Sequence, residues 1–164
     1  MFTPHLMENI MRLRYTGLDA GLFRDLFDLN DAELAARGMV RVTADAKPGF
    51  PCRVSLEDAE PGETLLLLPF EHQPVASPYR SSGPIFVREK AATPYDGESL
   101  PPVFPGRVLS VRAYDAKGDM VKAELTDGAQ AETLFQAMLA HEEVAYLHVH
   151  NAKRGCYAAR VDRA

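Results

Sequence analysis

The longest uninterrupted apolar stretch of the chain, residues 65–70, begins with four leucines. It is far shorter than the roughly 20 residues that a helix needs to cross a bilayer. Its length suits a β-strand, and because it is apolar on both faces, that strand must be covered on both. We therefore expect residues 65–70 to form the central strand of a sheet. Glu71 and His72 then lie just past its end, where a sheet often opens to a cleft.

The rest of the chain mixes short alternating segments with short amphipathic ones. Apolar and polar residues alternate, or apolar β-formers cluster, at 11–15, 39–42, 52–56, 85–88, 107–114, 120–125, 144–150 and 156–162. These patterns predict strands. One-sided apolar spacing predicts three helices, one capped by Asp19, one by Asn30 or Asp31, and one that follows Asp127. We predict an α+β fold in which a mostly antiparallel sheet carries about three helices on one side.

Length and charge exclude several classes of protein. A chain of 164 residues matches one domain, so we predict a single globular domain over residues 1–164. The net charge of -5 gives little attraction for phosphate backbones or anionic lipid, so we expect neither a nucleic-acid nor a membrane partner. Residues 1–8 lack a secretory signal, which favours a cytoplasmic location. The sequence does not identify a cofactor or an oligomeric state.

The last predicted strand pair carries the first candidate site. Side chains alternate along a strand, so Tyr146, His148 and His150 share one face while the apolar residues between them enter the core. If the connecting loop 151–155 is symmetric, His150 pairs with Cys156. One face then presents Tyr146, His148, His150, Cys156 and Arg160. A slip of one residue would move Cys156 to the opposite face.

Three interpretations of this face stay open. Cys156 could be a nucleophile with His150 as its base, in acyl or thiol transfer. Alternatively, His148, His150 and Cys156 could bind zinc or iron, with His72 or Glu71 as a fourth ligand. The third interpretation is a solvated strand face with an inert cysteine. The only other cysteine is Cys52. The sequence leaves open whether the two thiols are free, buried, metal-bound or joined in a disulfide.

The second candidate site is the mid-chain segment from Tyr79 to Arg88. Arg80 and Arg88 are charged donors, and Ser81 and Ser82 offer hydroxyl and backbone donors in a predicted turn at 81–84. Such a loop can hold a carboxylate or a phosphate. It is not a P-loop, because the lysine and the glycine spacing are missing. The structural alternative is a tight turn whose arginines pair with nearby carboxylates.

Four segments of the chain together resemble a family. They are PCRVSL at 51–56, PYRSSGPIFVR at 78–88, HNA at 150–152 and GCYAARV at 155–161. They are similar to the bacterial family known as domain of unknown function 1203, and the similarity covers nearly the whole chain. The resemblance implies a compact single-domain bacterial protein. It implies no activity, cofactor or partner.

Our leading interpretation is a pocket for a small anionic ligand, formed where the mid-chain segment meets the terminal strands. It assigns the ligand contacts to Tyr79, Arg80, Ser81, Ser82, Arg88, His148 and Asn151, and any catalysis to Cys156 with His150; it assigns no metal ligand. A different class of function is a protein interaction module that uses the proline-rich residues 91–105, a predicted irregular surface loop, as its docking surface.

Overall fold

The computed structural model describes residues 10–164, and the predicted absence of a signal at residues 1–8 lies outside them. Nine strands occur in the described chain: β1 (Leu13–Thr16), β2 (Val40–Thr43), β3 (Thr64–Gln73), β4 (Ser81–Arg88), β5 (Asp96–Gly97), β6 (Val108–Tyr114), β7 (Met120–Asp127), β8 (Tyr146–Asn151) and β9 (Tyr157–Arg163). The two α-helices there are α1 (Asp31–Ala36) and α2 (Ala131–Leu139), and short 3-10 turns occupy Ala20–Leu22, Arg24–Asp28 and Gly128–Gln130.

The strands form two sheets. Six strands pair in the order β5-β1-β9-β8-β6-β7, and three pair in the order β2-β3-β4. Every strand pairing is antiparallel. The predicted α+β class is confirmed, although the strands are divided between two sheets. No helix among residues 10–164 is long and apolar enough to cross a membrane.

The leucine-rich strand lies where its composition predicts. β3 is the middle strand of the three-stranded sheet. Leu65 and Leu66 are both fully buried, and they enter two different apolar clusters because neighbouring residues point to opposite faces. β3 does not end at Phe70, however. It continues through a register shift to Gln73, so His72 belongs to the strand itself.

The main core lies between the six-stranded sheet and α2. Phe135, Met138 and Leu139 of α2 pack with Leu147 and Val149 of β8 in one buried cluster. The predicted inward face of β8 is thus confirmed. The opposite face of β8 meets the end of β3, and that contact builds the site described below.

A capping box starts α1. The Asn30 side chain accepts from the backbone N–H of Glu33, and the Glu33 side chain accepts from the backbone N–H of Asn30. In contrast, the helix predicted after Asp19 forms only 3-10 turns, in which Leu22 is 58% exposed. Phe23 of that segment is 3% exposed and lies in one apolar cluster with Leu66 of β3, so its burial does not require a regular helix.

We expect Asn30→Ala to lower the free energy of unfolding by about 1 kcal/mol, because the backbone N–H of Glu33 loses the side-chain oxygen that accepts from it. Urea unfolding measures the change. Asn30→Ser keeps a capping oxygen and should recover most of the loss. Equal destabilisation by serine and alanine would contradict this account of the helix start.

Three local predictions are wrong. Residues 52–56 form tight turns and an isolated bridge to Phe86 rather than a strand. The tetrapeptide 81–84, predicted as a turn, is the first half of β4; Pro84 is tolerated there because β4 is an edge strand, and the isolated bridge on its outer side is at Phe86. Residues 91–105 are not simply a surface loop, because β5 pairs with β1 and Val103 and Phe104 are buried in the main core.

Candidate metal centre

Three histidines from two sheets meet on the face of β8 that points away from the main core. His148 and His150 share a face of β8, as their spacing predicts, and His72 approaches them from the end of β3. His148 is 3% exposed and His150 is 1% exposed, while His72 is half-buried. The strand alternation of β8 supplies two ligand candidates, and the long β3 supplies the third.

The three rings are close enough to share one ion. The ring centroid of His72 lies 4.9 Å from that of His150 and 6.0 Å from that of His148. One ring nitrogen from each histidine lies within 4.8 Å of those of the other two. Metal–nitrogen bonds of 2.0–2.1 Å at tetrahedral angles place donor nitrogens roughly 3.4 Å apart. Side-chain rotations that move the ring nitrogens by about 1 Å would therefore bring them to coordination distance of one ion.

Hydrogen bonding orients His150 for coordination. Its Nδ1 lies 2.9 Å from the backbone oxygen of Gly155. A carbonyl oxygen only accepts, so Nδ1 carries the proton and the lone pair of the neutral ring is on Nε2. Metal-binding histidines are held in the same way by a carbonyl or carboxylate on the outer nitrogen.

One ring nitrogen of each histidine is buried without a hydrogen-bond partner in the protein: Nδ1 of His72, Nδ1 of His148 and Nε2 of His150. Buried polar atoms are nearly always paired, because an unpaired one loses its hydration without compensation. Three such nitrogens in a single cluster are therefore unusual for a purely structural core. A bound ion would give a partner to each of these nitrogens that coordinates it.

The surroundings keep the imidazoles neutral, which is the form that binds metals. Burial, together with the neighbouring His150 and His72, lowers the pKa of His148 to about 3. Burial also lowers the pKa of His150 to about 3, against the opposing effect of its bond to Gly155. The pKa of His72 is lowered by burial and by the positive charge of Arg112.

Tyrosines and one glutamine enclose the histidines. The Tyr157 ring stacks on His72 with centroids 5.3 Å apart and an interplanar angle of 6°. Tyr114 meets His148 edge-on at 5.1 Å. Gln73 and the Tyr146 hydroxyl are hydrogen-bonded to each other beside the cluster. These contacts hold the rings in place. They leave the half-buried side of His72 as the side from which a ligand can approach.

The predicted pairing of His150 with Cys156 is wrong. A register shift in the β8–β9 pair places Tyr157 opposite His150 and Arg160 opposite His148. Cys156 instead receives hydrogen bonds from Arg53 at 3.1 Å and from Asn151 at 3.5 Å, and it lines a cleft with both. His150 and Cys156 are not hydrogen-bonded to each other, so this geometry does not provide the base that the predicted cysteine mechanism requires.

The predicted metal set also changes. The group of clustered ligand atoms found within residues 10–164 contains His72, His148 and His150 and neither Cys156 nor Glu71. Glu71 instead forms an ion pair with Arg80. His72 thus replaces Cys156 as the third ligand candidate.

The mid-chain residues do not converge on a ligand pocket. Arg80 precedes β4 and Arg88 ends it, and the eight extended steps from one to the other span roughly 26 Å. Arg88 pairs with Glu57 and Glu63. The remaining members lie at the start of β4 or just before it: Tyr79 is 40% exposed, Ser81 donates to the Tyr79 backbone oxygen, and Ser82 is exposed. The structural alternative, arginines paired with nearby carboxylates, describes this segment.

Sequence reasoning named His72 only as an accessory ligand and missed Arg53 and Tyr157. The position of His72 at the polar end of a buried strand is the one signal that pointed to it. Arg53 gave none, because its burial depends on hydrogen bonds to remote groups, the Tyr157 backbone oxygen and the Cys156 thiol.

Comparison with known proteins places these residues in a family. The sequence model of a family described as protein of unknown function, DUF1203, matches residues 49–163. This segment contains all three histidines. No curated protein and no solved structure matches the chain.

Proposed function

Because the chain belongs to the DUF1203 family of proteins of unknown function, its role must be inferred from its own residues, and we propose that it binds a divalent transition-metal ion at His72, His148 and His150. The observation that carries the proposal is the convergence of three neutral imidazoles whose buried ring nitrogens have no partner in the protein. The hydrogen bond from His150 to Gly155 supports it, because that bond leaves Nε2 free to coordinate.

The donor set selects the class of metal. Imidazole nitrogen suits zinc, copper, nickel, cobalt and ferrous iron, whereas magnesium and calcium require oxygen ligands. No carboxylate or thiolate joins the cluster within the described residues. We therefore expect zinc or another nitrogen-preferring ion, and no response to magnesium or calcium.

The charge around the histidines indicates what else the ion would bind. Three neutral imidazoles leave the charge of a divalent ion uncompensated, and Arg112 adds a positive charge nearby. Three protein ligands also leave one position of a tetrahedral ion open. An anion such as hydroxide or a small oxyanion fits that position best. The half-buried side of His72 is the route by which it would enter.

Metal titration of tag-free protein tests the proposal. We expect one equivalent of Zn²⁺ or Co²⁺ to bind per chain in competition with a chromophoric chelator. His72→Ala removes a direct ligand, so its loss of affinity should exceed the roughly 10–100-fold cost of losing an outer-sphere partner. Free zinc at about 100 times its Kd should raise the free energy of unfolding by about 2.7 kcal/mol in the wild type.

His141→Ala is the matched control, because His141 is an exposed histidine two residues after the end of α2. It should bind metal like the wild type. If His72→Ala binds as tightly as His141→Ala, or if the wild type binds neither ion, the three histidines are a structural cluster whose nitrogens are satisfied by water or by one another.

A further inference from the structure

Cys156, the residue before the Tyr157 that stacks on His72, lines a separate cleft. The volume of this cleft is about 900 Å³, and its walls come from residues 49–51, 106–108 and 151–154 together with Arg53, Phe86 and Cys156. The floor is apolar: the rings of Phe50 and Phe86 lie 5.3 Å apart, and Val108 is 50% exposed. The cleft shares no residue with the histidine cluster, so it is a separate candidate site.

The charged groups that line the cleft are all cationic. Arg53, Arg107, Lys153 and Arg154 all line it. Of these, Arg107 is paired with Asp58 at 2.7 Å. In the part of the chain that the structure describes, no carboxylate forms an ion pair with the other three. An acidic protein with a net charge of -5 thus has a concave surface of opposite sign.

Arg53 is the least expected of these groups. It is 2% exposed, and its guanidinium donates to the backbone oxygens of Tyr157 and Pro51 and to the Cys156 thiol. Three donors are used, and a guanidinium has five. A buried cation is normally paired with an anion, because its desolvation is otherwise uncompensated. Burial lowers the pKa of Arg53, consistent with a missing counter-charge.

We propose that this cleft binds a small molecule that carries a carboxylate on an aromatic body. The carboxylate would lie near Arg53 and within reach of Lys153 and Arg154, and the ring would lie on Phe50 and Phe86. An apolar cavity with a few converging polar groups is the usual form of a small-molecule site. Guanidinium groups favour a planar carboxylate, and aromatic floors favour a ring.

This site replaces the anion pocket predicted at the mid-chain segment. The predicted ligand class, a small anion, is kept. Of the predicted ligand-binding residues, Asn151 alone lines the cleft; the predicted nucleophile Cys156 lines it as well. The inference does not depend on the metal proposal, because no histidine lines the cleft.

Binding of 2-naphthoate, a fluorescent aromatic carboxylate, tests the inference in the presence of a chelator. The neutral isostere 2-naphthamide should bind at least about tenfold more weakly, because a hydrogen-bonded charge is lost. The double variant Lys153→Gln/Arg154→Gln should weaken 2-naphthoate binding by about 3–10-fold, since both side chains are exposed and screened. The matched control is Lys117→Gln/Lys122→Gln, which removes two lysines outside the cleft and should bind normally.

Alkylation of Cys156 locates the ligand. Cys156 is partly exposed in the cleft, whereas Cys52 is 1% exposed and serves as an internal reference. Saturating 2-naphthoate should slow the reaction of Cys156 with iodoacetamide, and 2-naphthamide at the same concentration should not. His72→Ala should leave both results unchanged, which separates this site from the metal centre.

Two outcomes would overturn the inference. One is equal affinity for 2-naphthoate and 2-naphthamide, which would mean that the cationic groups do not recognise the carboxylate. The other is selective binding that neither protects Cys156 nor responds to Lys153→Gln/Arg154→Gln, which would place the ligand elsewhere. Arg53→Met, if it folds, should abolish the selectivity, but the test does not depend on it.

Discussion

Gly17→Ala is expected to cost more than about 4 kcal/mol of unfolding free energy, or to prevent folding. A Cβ atom at Gly17 would overlap the Val54 backbone oxygen and lie 3.1 Å from the Arg53 backbone oxygen. Both are backbone atoms, so no side-chain rotation relieves the contact. The cause is space alone, because the backbone of Gly17 is not in the left-handed region.

The surrounding hydrogen bonds make this cost large. Gly17 donates to the Tyr95 backbone oxygen, Tyr95 donates to Val54, and Leu18 donates to Arg53, each at 2.8 Å. Moving residues 53–54 away from Gly17 breaks these bonds and displaces Arg53 from the cleft. Urea unfolding measures the loss where the variant folds at all.

Gly83→Ala is the control for Gly17→Ala. No atom lies within 4 Å of a Cβ at Gly83, and its φ is not positive. We expect that variant to match or slightly exceed wild-type stability, because alanine restricts the unfolded chain. If Gly17→Ala is as stable as Gly83→Ala, then residues 53–54 can move without cost, and Arg53 is less firmly placed than its contacts suggest.

Local patterns predicted the parts of this protein that depend on periodicity. The alternation of β8 predicted that His148 and His150 share a face, and the leucine run predicted a central strand. Both results follow from the two-residue period of a strand, which any neighbour must accommodate. The helix start at Asn30 was likewise readable from its capping residues.

Long-range contacts were not readable in this way. His72 reaches the histidines of β8 only because β3 extends past Phe70 through a register shift. Because of the register shift in the β8–β9 pair, the residue opposite His150 is Tyr157 and not the predicted Cys156. A β-bulge inserts one residue without a reliable sequence signal, and that one residue decides which face a side chain joins.

Residues 52–56 show a different limit. Their alternation imitates a strand, yet Cys52, Arg53, Val54 and Leu56 are all buried, and Leu56 has a φ of 52°. The segment is covered on all sides, so period-two alternation gives no information about its conformation. Arg53 can be buried there because the remote Tyr157 backbone oxygen and the Cys156 thiol accept its hydrogen bonds, an arrangement that exists only in the folded chain.

Acidification from pH 7 to pH 5 should destabilise the metal-free protein by roughly 4 kcal/mol, about 2 kcal/mol for each of His148 and His150. Both have a folded-state pKa of about 3. In the unfolded chain a histidine has a pKa of about 6.5, so between these values the unfolded state binds more protons. The contribution of these two histidines to stability is therefore fully present above about pH 6.5 and is lost as the pH falls toward 3.

Carboxylates do not obscure this window. Asp58 is the clearest case: its pKa is lowered because its hydrogen bonds to Arg107 and Gly49 outweigh the opposing effect of burial. Stability from such a group is lost only below its unfolded pKa of about 4. The loss between pH 7 and pH 5 thus belongs mainly to histidines, and His72, whose pKa is also lowered, adds to it in the same direction.

Urea unfolding of chelator-treated protein at pH 7 and pH 5 measures the effect. His148→Phe fills the site with a ring that does not titrate. The variant should therefore lose about half as much unfolding free energy between pH 7 and pH 5 as the wild type loses. His141→Ala removes an exposed histidine and should retain the full loss. A wild-type change below about 1 kcal/mol would mean that protons reach these rings in the folded state. The neutral, coordinating form of the imidazoles would then not be maintained by burial, and the main electrostatic support for the metal centre would be lost.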